Sequence, residues 1–66
     1  MSKYQLKIAN KIRSVFDENE YLNFGSVVKR LNPDNTSEIY RVWDLMNKEG
    51  MLKQGYARTS ALYTLA

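Results

Sequence analysis

Arg41 is the side chain here best equipped to read the edge of a base. Its planar fork donates two parallel hydrogen bonds, a geometry that matches O6 and N7 of guanine. Thr36 and Ser37 stand just ahead of it with hydroxyls that can donate to phosphate. Tyr40 adds a hydroxyl for phosphate and a ring for a thymine methyl, and Lys48 adds a further cation. Two other groups of cations stand apart, Lys29 with Arg30, and Lys53 with Arg58 around Tyr56.

The chain has no histidine and no cysteine, so the commonest general base and nucleophile are missing, and so are the usual zinc ligands and any disulfide. Sixty-six residues also leave little room for a pocket. The expectation is a non-enzyme with no metal and no cofactor. Ten Lys plus Arg against seven Asp plus Glu give a net charge of +3, with a pI near 9.3. That balance permits a nucleic-acid partner without demanding one. No apolar run approaches the ~20 residues of a membrane span, and the N-terminal residues lack the apolar core of a secretion signal. The expected setting is cytoplasmic or nucleoid-associated, away from membranes.

These side chains need elements to hold them. One domain is expected over residues 1–66. A first helix is predicted over about 2–18, with Ser2 as a cap and Tyr4, Ile8, Ile12, Val15 and Phe16 on its apolar face. Leu6 and the Ala9/Arg13 shoulder lie away from that face. Asp17 to Glu20 read as a fraying end and loop, and Tyr21-Leu22 as a very short extended piece. Asn23 caps a second helix, 24–31, whose Phe24, Val27, Val28 and Leu31 fit the i, i+3, i+4, i+7 template. Pro33 must stop it at about Leu31 or Asn32. A third helix, 36–48, starts at Asn35 or Thr36 as cap, with Glu38 completing a capping box. Ile39, Val42, Trp43 and Met46 are its buried stripe, and Gly50 ends it in left-handed geometry. The period then changes, and a two-stranded hairpin is predicted over about 51–54 and 60–65.

The fold class is therefore α+β, mostly α, and the order of elements resembles a winged helix-turn-helix domain. "VVKRLNPDNTSEIYRVW" resembles the helix-turn-helix, "SEIYRVWDLMNKEGMLKQG" the third helix running into the wing, and "ALYTLA" the closing strand. The layout is also similar to Zα-type winged helices. Tyr40 and Asp44, however, stand where that group carries Asn and Tyr, and Ser60 and Ala61 replace its wing prolines. Z-form recognition is accordingly not expected. Small single-domain proteins of this design resemble products of phages, plasmids and viruses.

The resemblance implies a role for each cation. The third helix would enter the major groove, with Lys29 and Arg30 on phosphates and Lys53, Tyr56 and Arg58 of the wing on flanking backbone or minor groove. With Ile39 inward and 100° per residue, Ser37, Arg41, Asp44 and Lys48 fall on the outer side, with Tyr40 on a shoulder. The same face also reads as ordinary solvated surface, since Asp44 and Lys48 are placed to pair at i, i+4. The expected partner is double-stranded DNA, bound by a monomer or by a homodimer through the first helix or the C-terminal strand. The competing expectation is a protein-binding adaptor, or a viral inhibitor of a host protein.

Overall fold

Each helix begins where a small polar side chain takes an N–H that has no intrahelical partner. In the computed structural model, which describes residues 1–55 and 61–66, these helices are α1 (Lys3–Ser14), α2 (Phe24–Leu31) and α3 (Thr36–Lys48). Two strands follow, β1 (Leu52–Gln54) and β2 (Tyr63–Leu65). Ser2 Oγ accepts the Gln5 N–H at 3.1 Å while Gln5 Oε1 accepts the Ser2 N–H at 2.9 Å, a reciprocal capping box. Asn23 Oδ1 accepts from Ser26 N at 2.8 Å, and Asn35 Oδ1 from Glu38 N at 3.3 Å. Asn35, not Thr36, is thus the cap of α3, and Thr36 is its first helical residue.

The ends are as local as the starts. Asn32 turns left-handed at φ 49° directly before Pro33, which closes α2. Beyond α3, Gly50 takes φ 75°, its N–H bonds Asn47 O at 3.2 Å, and the Met51 N–H bonds Met46 O at 2.8 Å. This pair of bonds is a Schellman motif, and it consumes two carbonyls that the helix end would leave bare. α1 is shorter than the predicted 2–18. It stops at Ser14, where the side-chain hydroxyl donates to Lys11 O at 2.6 Å, and the Val15 carbonyl is taken by Arg30 instead of continuing the helix.

The core lies between the three helices and the hairpin, built from Ile8, Ala9 and Ile12 of α1, Val27 of α2, and Ile39, Val42, Trp43 and Met46 of α3. Leu22 and Leu52 close it. Two α1 expectations need correction. Ala9 is only 1% exposed, because it lies one step round the wheel from Ile8 and its small side chain admits close packing. Tyr4 is 59% exposed and lies at the edge of the apolar face. Trp43 is the aromatic hub, with Phe16 stacked at 6.3 Å, Phe24 tilted at 5.8 Å and Tyr63 edge-on at 5.5 Å.

β1 and β2 pair antiparallel, Leu52 with Leu65, Lys53 with Thr64, and Gln54 with Tyr63. Alternation turns Leu52, Tyr63 and Leu65 to the core side, leaving Lys53 and Thr64 on the other. β2 starts at Tyr63, later than the predicted 60, because Ala61 lies in a turn. The extended piece at Tyr21-Leu22 is also present. Leu22 exchanges two hydrogen bonds with Tyr63, at 2.7 and 2.9 Å, which adds a third rung-bearing segment on the far side of β2.

Candidate nucleic-acid interface

The outward side of α3 is built by its inward side. Burial of Ile39, Val42, Trp43 and Met46 fixes the helix rotation and leaves Thr36, Ser37, Tyr40, Arg41 and Lys48 exposed. Thr36 and Ser37 occupy the first turn, where backbone N–H groups lack intrahelical acceptors and the dipole favours an anion. Tyr40 is 57% exposed, yet its ring is braced edge-on by Phe24 at 5.2 Å, so α2 holds it in place.

Ion pairing divides the cations. Among the described residues the pairs are Lys48 Nζ–Asp44 Oδ2 at 3.0 Å and Arg30–Glu20. Lys48 and Asp44 pair across one helical turn as their spacing predicts, and both remain substantially exposed, so the bond is weak and exchangeable. Arg41 has no ion-pair partner among the described residues. It stands instead at a groove of about 230 Å³ between α1 and α3, shared with Ser2, Tyr4, Gln5 and Glu38.

Arg30 is engaged more deeply. Its two terminal nitrogens grip both Glu20 oxygens, at 2.5 and 2.8 Å, and one of them also donates to Val15 O at 2.9 Å. This bidentate fork joins α2 to the α1–α2 loop. The bond from Arg30, aided by the Asp17 N–H, lowers the Glu20 carboxyl from the usual range to about 2. The Arg30 guanidinium is raised by the same hydrogen bond. Its neighbour Lys29 is exposed and forms no ion pair among the described residues.

Lys53 lines a cleft with Asp17, Glu18, Tyr21 and Thr64. Tyr56 and Arg58 lie outside the described residues. Two contacts had no signal in the sequence. One is the Arg30–Glu20 fork. The other is the Tyr4 hydroxyl donating to Glu38 Oε2 at 2.5 Å, which ties α1 to the first turn of α3. That hydrogen bond, and then the charge of Glu38, raise the Tyr4 phenol above its ordinary value. Among the described residues no cluster of acidic side chains is placed to hold a metal ion, and no helix is long and apolar enough to cross a membrane.

No family model, no curated protein and no solved structure matches this chain.

Proposed function

We propose that this is a small DNA-binding protein of winged helix-turn-helix design, a transcriptional regulator or accessory factor. α3 enters the major groove and the hairpin lies along the flanking backbone. The observation that carries this reading is the state of Arg41. It is an exposed cation in the first half of α3, without an ion-pair partner among the described residues, behind the hydroxyls of Thr36 and Ser37. Arg41 reads a guanine, Thr36 and Ser37 hold a phosphate at the helix start, and Tyr40 contacts the strand beside them. Lys29, Lys48, Lys53, Tyr56 and Arg58 supply the remaining contacts, with Lys48 exchanging its exposed Asp44 partner for phosphate. Arg30 contributes chiefly by holding α2 in place.

A selection from random duplexes, followed by binding of the Arg41→Ala variant, tests this. The variant should lose about 1–3 kcal/mol on the selected site and relax one base position. Equal binding of wild type and variant to selected and scrambled duplexes would overturn the assignment of Arg41.

The protein-adaptor reading is favoured by a different observation, the engagement of Arg30 and Lys48 with acids of this same chain. Absence of any retardation of duplex DNA at low salt, where phosphate contacts are strongest, would select it.

A further inference from the structure

The positive charge of the described residues is concentrated on α1. The helix KYQLKIANKIRS carries Lys3, Lys7, Lys11 and Arg13 and no acid at all. Its four cations exceed the +3 of the whole chain. All four are exposed, and none forms an ion pair among the described residues, whereas Arg30 and Lys48 do. Lys3, Lys7 and Lys11 recur every four residues, so they line one side of the helix about 6 Å apart along its axis. Ile8, Ala9 and Ile12 face the core, which puts this lysine row on the outward side. Asp34 and Glu38 share a cleft with Lys11, and the Glu38 carboxylate is occupied by Tyr4.

We infer that the Lys3–Lys7–Lys11 row of α1 is a second, sequence-independent surface for the phosphate backbone of a nucleic-acid duplex. It rests on the DNA-binding reading only for what α3 does, and stands on its own charge pattern. A duplex carries a negative charge for each roughly 1.7 Å of axis, so a straight row of lysines at this spacing finds a phosphate for each member. An anionic bilayer fits less well. Helices that bind bilayers bury an apolar face in them, and the apolar face of α1 is already spent in the core.

The test compares wild type, the triple variant Lys3→Gln/Lys7→Gln/Lys11→Gln, the single variant Lys7→Gln and Arg41→Ala. Each is measured by fluorescence anisotropy on duplex DNA across a salt series. Gln has nearly the helix propensity of Lys, so circular dichroism should show all variants folded, and Lys7→Gln alone reads the effect if the triple variant is not. The expected result is a fall in the salt slope of about three for the triple variant and about one for Lys7→Gln, with base preference unchanged. Arg41→Ala should relax the one base position it reads and keep its response to the lysine substitutions. A wild-type salt slope in the triple variant would overturn the inference, and so would capture of phosphatidylserine vesicles without capture of duplex. Failure of the α3 reading looks different: no base preference and no effect of Arg41→Ala, while the lysine variants still lose duplex.

Discussion

Arg30 of α2 holds Glu20 of the α1–α2 loop in a two-pronged grip and, with the same guanidinium, caps the carbonyl of Val15. One side chain thereby fixes both where α1 ends and how the loop returns to α2. The Glu20 carboxyl is lowered on folding, so its contribution is complete above about pH 4.5 and is lost as pH falls towards about 2. Melting temperatures of wild type and Glu20→Gln should therefore differ at neutral pH and converge across that acid window. A constant difference from pH 7 to pH 2 would show that the carboxylate charge is not what the grip uses.

The Tyr4–Glu38 bond predicts an effect at the opposite end of the pH scale. The Tyr4 phenol is raised on folding, so the bond stabilises below the ordinary tyrosine value and is lost as pH climbs through the raised one. Ultraviolet titration should find one tyrosine ionising late in wild type and returning towards the ordinary value in Glu38→Gln. Tyr4→Phe should remove that late step while leaving the helical circular dichroism intact, since the ring is exposed.

Met46 is fully buried in the last turn of α3, and a core this small has no spare apolar mass. Met46→Ala should cost about 2–5 kcal/mol, and Trp43→Ala about 3–5 kcal/mol because the aromatic hub goes with it. Against the stability of an ordinary domain, about 5–15 kcal/mol, either change brings the chain close to unfolding at ambient temperature. Urea midpoints followed by circular dichroism measure both.

Gly50 separates backbone strain from crowding. A Cβ added there meets nothing within 4 Å, yet the residue sits at φ 75°. Gly50→Ala should therefore destabilise by about 1–2 kcal/mol through conformation alone. Gly50→Asn should cost less, since asparagine tolerates left-handed geometry. Equal urea midpoints for Ala and Asn would contradict that account.

The parts of the fold legible in the sequence are those whose causes are local. α2 and α3 have the predicted bounds because Asn23, Pro33, Asn35 and Gly50 each act within a few residues of themselves. The parts that were not legible depend on partners far along the chain. Arg30 of α2 takes the Val15 carbonyl at the α1 C-cap, and Glu38 of α3 takes the Tyr4 hydroxyl. Nothing in the spacing of Arg30 distinguishes a phosphate ligand from a clamp on Glu20. The outer face of α3 was readable from Ile39, Val42, Trp43 and Met46, because a buried stripe determines what lies opposite.

The two hydrogen bonds between Leu22 and Tyr63 join the segment between α1 and α2 to the last strand. The three helices can form from contacts close in sequence, which are fast. This rung closes a long loop and waits for both ends, so it belongs to the final step of assembly. Until then the apolar side of β2 has no seat, and the nascent chain exposes Tyr63 and Leu65. The amides of Leu22 and Tyr63 should consequently exchange with solvent deuterium through an opening that leaves the helices formed, sooner than the core amides of α3, and a protein halted before β2 should keep helical content while lacking a cooperative melt.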